Sequence, residues 1–334
     1  MFVRILTLLC CCSAWAQNQL ESEGARAMLW PPEELNLGQV TGLGTDSQAN
    51  LHVFHRGSRK WEADSFDADN RFAKQNEGPI ADSTHIVLDQ SGQVIRKGGK
   101  DKYFMPHGLS LDHQDNVWLT DVALHQVFKL PPGEDEPSLV LGEAFVNGND
   151  DKHFCKPTDV AVARSGEVFV ADGYCNSRIV KFDADGTFIT SFGKPTSNLL
   201  APAVGTFSVP HSLTLVDDWN LVCVADRENK RIQCFSAGLK DDQHVRPLPT
   251  GMFIKQAKNL GRVFAVRSKG HYLVGVINPG LAYGKKALFI VNMENGKSET
   301  VDPGLLNPHD LAVGPDGSVY VGEIGPNRIV KVEL

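Results

Sequence analysis

The stretch PHGLSLDHQDNVWLTD (residues 106–121) returns twice, as PHSLTLVDDWNLVCVAD (210–226) and as PHDLAVGPDGSVYVGE (308–323). In each, a Pro-His pair leads into a short apolar run, a polar turn follows, and a second apolar run ends on an acidic residue. Period-2 alternation on both sides of a polar turn marks a pair of antiparallel strands. Outward from these, KPTDVAVARSGEVFVADGYCNSRIVKFDADGTFITSFG (156–193) repeats the frame from Pro157, and VTGLGTDSQANLHVFHRG (40–57) repeats it without the Pro-His. The starts at Pro106, Pro157, Pro210 and Pro308 are 51, 53 and 98 residues apart. The last gap holds two repeats, and NLGRVFAVRSKGHYLVGVIN (259–278) supplies the degenerate one, read as two strands around an Arg267-Ser268-Lys269-Gly270 turn. The first interval, 66 residues from Val40, is one repeat with an insertion, and it contains a Ser-Gly hairpin at IVLDQSGQVIRKGG (86–99). Six repeats of about 50 residues, each of three or four short strands, predict an all-β fold: a six-bladed β-propeller around a central channel. A solenoid fits less well, because the repeat is long and helical patterns are absent.

The first 16 residues, MFVRILTLLCCCSAWA, carry one Arg, an apolar core and an Ala14-Trp15-Ala16 cleavage pattern, which reads as a secretory signal peptide too short to span a bilayer. Its loss takes Arg4 and no acid, so the net charge of -7 becomes -8. The organisation expected is a signal peptide at 1–16, an N-terminal segment at 17–37 and a propeller at 38–334. No later stretch is long and apolar enough for a membrane helix, so the chain is expected in the secretory pathway or outside the cell. An acidic chain without a basic run is a poor partner for nucleic acid.

Consecutive blade strands run antiparallel, so the start of the innermost strand and the end of the second lie at one end of the propeller. His107, His211 and His309 stand at that start, and blades around one axis bring equivalent positions together. Three imidazoles around an open fourth position are the arrangement of a catalytic zinc site; the competing reading is that Pro plus a polar residue merely begins the strand. At the end of the second strand stand Asp121, Asp172, Asp226 and Glu323, with His55 in their place in the first repeat. The simplest role for these acids is to accept backbone N–H groups of the neighbouring turn. Arg56 and Arg227 follow in the first and fourth repeats, and Tyr174 lies one residue further on in the third. Two guanidiniums beside a metal suit an anionic, carboxylate-bearing substrate, and a Tyr among them could serve as a base. Each has the alternative of pairing with a neighbouring acid.

After the leader, four cysteines remain: Cys155, Cys175, Cys223 and Cys234. An even number in an oxidising compartment favours disulfides over zinc, since no C-x-x-C spacing exists. Cys155 and Cys175 both fall at the end carrying the histidines, where a bridge would brace the loop of Tyr174. Cys223 and Cys234 fall on adjacent strands.

The runs ADGYCNSRIVKF (171–182) and VADRENKRIQCF (224–235), with the PHGL, PHSL and PHDLAV segments, resemble those of the peptidyl-α-hydroxyglycine α-amidating lyase family, the second catalytic domain of peptidylglycine α-amidating monooxygenases. The likeness spans residues 37–332 and is to the free-standing form. It implies an NHL-type propeller and a carbon–nitrogen lyase, peptidylamidoglycolate lyase, that cleaves peptides ending in α-hydroxyglycine to a C-terminal amide and glyoxylate during neuropeptide and hormone maturation. It implies zinc on His107, His211 and His309, catalysis by Tyr174, Arg56 and Arg227, and substrate binding by the two arginines. It further implies a structural calcium on the Asp310 side chain with Leu43 and Leu109 carbonyls, and disulfides Cys155–Cys175 and Cys223–Cys234. The substrate would be supplied by a separate monooxygenase, with the lyase acting as a monomer. One position departs from the family: Asn307, before the last Pro-His, stands where a methionine near the zinc is expected. Two other readings compete: a non-catalytic NHL-type propeller that binds a peptide or protein partner, and a calcium-dependent propeller hydrolase, whose site would be carboxylate- and Asn-rich.

Overall fold

The computed structural model describes residues 26–31, 35–240, 247–278 and 287–334; the leader expected at 1–16 lies outside them. Six four-stranded antiparallel sheets form the blades. From the channel outward the first is Val40–Thr45, Leu51–His55, His85–Leu88 and Val94–Gly98, and the second Pro106–Leu111, Val117–Asp121, Gln126–Leu130 and Leu139–Leu141. The third is Asp159–Val162, Val168–Asp172, Arg178–Phe182 and Phe188–Phe192, and the fourth Pro210–Val216, Leu221–Asp226, Arg231–Ser236 and Phe253–Lys258. The fifth, Val263–Lys269, Tyr272–Ile277, Leu288–Asn292 and Ser298–Val301, is the degenerate repeat. The sixth is Pro308–Val313, Val319–Glu323 and Ile329–Glu333, with Arg26–Trp30 outermost.

That last strand corrects the domain boundary drawn at residue 38. Arg26–Trp30 pairs with Ile329–Glu333 from Arg26↔Glu333 to Trp30↔Ile329. It covers what would otherwise be an open edge of N–H and C=O groups, and it joins the beginning of the chain to its end. Trp30 packs on Tyr320 at 5.9 Å, with the Lys331 ammonium 5.2 Å above its ring. The fifth blade carries a second correction. Its inner strand continues through Arg267 and Ser268 to Lys269, which pairs with Tyr272, so the turn is Gly270-His271. Gly270 takes the left-handed φ of 54° that this tight connection needs.

The core is a ring of layers, one between each pair of neighbouring blades. Phe169, Ala171 and Ile179 of the third blade meet Leu213, Val222 and Phe235 of the fourth, and Val274, Val276 and Leu288 of the fifth meet Leu311, Val319 and Val321 of the sixth. Each fully buried side chain of this size contributes roughly 1.5–3 kcal/mol, so stability is spread around the ring. The second strand of each blade is buried on both faces, which is why it reads as continuous apolar sequence. Among the described residues no helix is long and apolar enough to cross a membrane.

Candidate metal centre and active site

In five blades the register slips at the start of the inner strand: after Val40, Pro106, Pro210, Val263 and Pro308. A bulge there leaves the next residue unpaired and turns its side chain out of the ladder. On blades two, four and six that residue is His107, His211 and His309, and the three imidazoles meet on the axis with centroids 4.8, 4.8 and 4.9 Å apart. On blades one, three and five the equivalent residues are Thr41, Thr158 and Phe264, which give their backbone carbonyls. His107 Nδ1 lies 2.8 Å from Thr158 O, His211 Nδ1 2.7 Å from Phe264 O, and His309 Nδ1 3.0 Å from Thr41 O. A carbonyl can only accept, so each Nδ1 carries the proton and each Nε2 keeps its lone pair.

All three rings are at least 97 % buried. Burial, with the charges of the nearby imidazoles and arginines, holds His107 and His211 well below the ordinary histidine range and brings His309 to about 3. Neutral, pre-oriented imidazoles with ligand atoms all within 4.8 Å of one another form the one group among the described residues that could hold a metal ion. Three neutral nitrogen donors with a fourth side open suit zinc.

The sequence reading placed Tyr174, Arg56 and Arg227 at this end, and the structure brings all three to the imidazoles. The Tyr174 hydroxyl is 3.0 Å from His107 Nε2 and 3.1 Å from His211 Nε2. Gly173 beside it is obligatory, since a Cβ there would lie 2.1 Å from Pro210 O. Arg227 places its guanidinium 5.4 Å from the Tyr174 ring and 4.9 Å from the Phe264 ring, and its Nε donates to Glu228 at 2.8 Å. Arg56 is 2 % exposed; its Nε donates to Pro106 O at 2.9 Å and its Nη1 to Gln39 Oε1 at 2.7 Å. Its Nη2 is buried with no partner, and burial lowers its pKa to about 10. A buried guanidinium N–H without an acceptor is costly unless a ligand supplies one, which makes Nη2 a carboxylate donor in waiting.

Two contributors escaped the sequence reading. Trp61 stacks on Tyr174 at 4.8 Å and lies 5.2 Å from the Arg56 guanidinium. Gln39 accepts from both Arg56 and the Trp61 backbone. The signal for Trp61 was the excess length of the first repeat, whose insertion folds over the active end. The acids at the ends of the second strands do tie down backbone. Asp121 accepts from the Phe104 and Met105 N–H groups just before Pro106-His107, and Glu323 from Leu306 and Asn307 just before Pro308-His309. Asp226 and Asp172 hold Ser208 and Cys155 in the same way. Unforeseen were their partners at the start of the third strands, Arg178 and Arg231, and Arg328 just before one, bound to Asp172, Asp226 and Glu323. His55 does the same work in the first blade by accepting from Gly38 and Gly57. Asn307 turns its side chain to Asn278.

Both disulfides form as expected. Cys155–Cys175 closes the loop that presents Tyr174, and Cys223–Cys234 joins directly opposed residues of the fourth blade. The three residues expected around calcium also meet, but a guanidinium is already among them. Arg267 Nη2 lies 3.1 and 3.2 Å from the two Asp310 oxygens and 3.4 Å from Leu109 O, and Leu43 turns its N–H to Asp310 at 2.8 Å. These residues do not fit a calcium ion while Arg267 stays where it is.

Fold and site define a six-bladed propeller with a three-histidine centre at one mouth of its channel. The NHL repeat family matches residues 154–182 and 207–235, which are parts of the third and fourth blades. Among solved structures, a putative gluconolactonase shares the fold at TM-score 0.59 and 12% identity, covering 93% of this chain and 92% of that one. A probable peptidyl-α-hydroxyglycine α-amidating lyase of Caenorhabditis elegans is 44% identical across 96% of this chain and 89% of its own length. Peptidyl-α-hydroxyglycine α-amidating lyase 2 of Drosophila melanogaster is 41% identical across 90% of this chain and 72% of its own. Peptidyl-glycine α-amidating monooxygenase A of Xenopus laevis is 46% identical across 90% of this chain, which spans 32% of that protein. The chain belongs to the peptidyl-α-hydroxyglycine α-amidating lyase family. It is a lyase.

Proposed function

We propose that this lyase is zinc-dependent and converts peptidyl-α-hydroxyglycine to a C-terminally amidated peptide and glyoxylate. The observation that carries the reading is the Tyr174 hydroxyl, seated between two imidazole Nε2 atoms and beside a buried guanidinium with a free N–H. The substrate, R-CO-NH-CH(OH)-COO⁻, is a hemiaminal. Its hydroxyl loses a proton, the C–N bond breaks as C=O forms, and the departing amide nitrogen gains a proton, so the step is neutral overall. His107, His211 and His309 would hold the zinc, which supplies Lewis-acid polarisation of a substrate oxygen. Arg56 Nη2 receives the carboxylate and fixes the reacting carbon near Tyr174. Tyr174, as the phenolate with the Arg227 guanidinium over its ring as counter-charge, takes the hydroxyl proton and becomes the neutral phenol. Trp61 packs against the same ring and limits access of water.

The two disulfides support an oxidising, secretory address, and the monooxygenase relatives support a substrate made by hydroxylation elsewhere. The test is glyoxylate release from α-hydroxyhippurate, with and without a zinc chelator. Turnover lost on chelation and restored by zinc is the expected result. Tyr174→Phe should lower turnover by roughly 10²–10⁴ and leave zinc content unchanged. Full activity in that variant would remove Tyr174 from the mechanism, and zinc bound without turnover would favour a propeller kept for binding.

A further inference from the structure

We infer that Arg267 is a built-in replacement for the channel calcium ion, and that this propeller therefore needs no calcium. The inference concerns the channel below the histidines and does not depend on the reaction. Calcium takes six to eight oxygens at about 2.3–2.6 Å. Here the oxygens that would form its shell are engaged by one side chain. Arg267 Nη2 reaches both Asp310 oxygens, at 3.1 and 3.2 Å, and Leu109 O at 3.4 Å. Its Nη1 reaches Asp159 Oδ2 at 3.0 Å, Ser212 Oγ at 2.8 Å and Val266 O at 3.0 Å. Leu43, the third residue expected there, donates its N–H to Asp310 Oδ2 at 2.8 Å, which occupies a further lone pair of that carboxylate.

The side chain does mechanically what a central ion would do. Arg267 starts on blade five and binds blade two at Leu109, blade three at Asp159, blade four at Ser212 and blade six at Asp310. Through Asp310 and the Leu43 N–H the first blade joins as well. Asp159 and Asp310 are 3 % and 5 % exposed and come from opposite sides of the ring. Two such carboxylates need a cation between them, and a guanidinium keeps its charge at any working pH while binding oxygens in a fork. The difference from an ion is thermodynamic. Bound calcium stabilises by mass action and is lost as its concentration falls, whereas a tethered cation holds at every concentration.

The experiment uses the full mature protein, stripped of metal, with zinc held at one concentration, and reads calcium content and melting temperature as calcium is raised to millimolar levels. Wild type should carry substoichiometric calcium and melt at the same temperature throughout. One calcium per chain, or a melting temperature that climbs with calcium, overturns the inference. Arg267→Ser leaves both carboxylates without their cation, so its melting temperature should drop by roughly 5–10 °C without calcium and recover when calcium is added. An Arg267→Ser protein as stable as wild type without calcium would also overturn it. If that variant does not fold, Arg267→Lys retains a cation and should fold independently of calcium; calcium dependence there counts against the inference, and the wild-type measurement stands by itself. No readout involves turnover, so a failed lyase assay leaves this result untouched.

Discussion

Blades two, four and six part from blades one, three and five at one position near the start of the inner strand. The even blades put an imidazole there, and the odd blades put Thr41, Thr158 or Phe264, whose carbonyls receive the imidazole protons. One set supplies the imidazoles and the other fixes their tautomer and aim. A side chain can be replaced one at a time, whereas the carbonyls belong to the backbone and survive substitution. The even blades are thus open to mutation and the odd ones almost immune, although both are needed for the centre.

The largest effect should come from breaking an even blade. His211→Ala should lower zinc affinity by more than the roughly 10–100-fold typical of losing an outer-sphere partner, and His107→Ala and His309→Ala should match it, as measured by zinc titration. Retained stoichiometric zinc in any of the three would end the equivalence of the even blades.

Next come the tethers that set the height of each histidine. Asp226 holds the turn into His211 and pairs with Arg231, with both side chains buried. Asp226→Ala should cost about 3–5 kcal/mol in denaturant unfolding, because it strands a buried guanidinium. Asp121→Ala breaks no direct ion pair and should cost less, since that acid binds four backbone N–H groups and acts on the buried Arg56 only through space. Equal losses would mean that the ion pairs add nothing to the tether.

On the odd side, Phe264→Leu keeps the carbonyl that orients His211 and removes the aromatic face under Arg227. Zinc content should hold while kcat/KM falls roughly 2–30-fold, the value of one cation–π contact of about 0.5–2 kcal/mol. Loss of zinc would show that the ring, and not the carbonyl, matters to the centre.

The smallest effect concerns the first blade, which uses His55 where four others use an acid and the fifth has Ile277. Burial lowers the His55 pKa from 6.5 to about 4, so between those values the unfolded chain binds a proton that the folded chain refuses. Stability contributed by neutral His55 is therefore complete above pH 6.5 and drains away as pH falls toward 4, by on the order of 2 kcal/mol. His55→Asn keeps an acceptor for the Gly38 N–H and does not titrate. Its unfolding free energy should fall less steeply over that window; an unchanged slope would exclude His55 as a source of acid sensitivity.

How far the site could be read in advance follows from the repeat. Pro106, Pro210 and Pro308 mark where inner strands begin, so the three histidines were bound to share a level. Arg56, Arg227 and Tyr174 followed because their distance from the second strand's end is short and fixed. Trp61 did not follow, because nothing in an insertion says which way it folds. Arg267 was misplaced for a different reason. Arg-Ser-Lys-Gly looks like a turn, but cross-strand pairing carries the strand three residues further, to Lys269↔Tyr272. A strand's extent decides which side chains face the channel, and it is set by the partner strand.

The sequence by itself determined the number of blades, the order in which they follow and the shared level of the three histidines, since each is written in the repeat and its spacing. Tertiary structure alone decided what fills the channel, what covers the tyrosine and which strand closes the ring. Arg267 meets Asp159 and Asp310 across 108 and 43 residues of chain, and Arg26–Trp30 meets Ile329–Glu333 across almost its whole length. Such contacts arise from the curvature that brings distant blades to one axis, and that curvature belongs to the packed ring and to no segment of it.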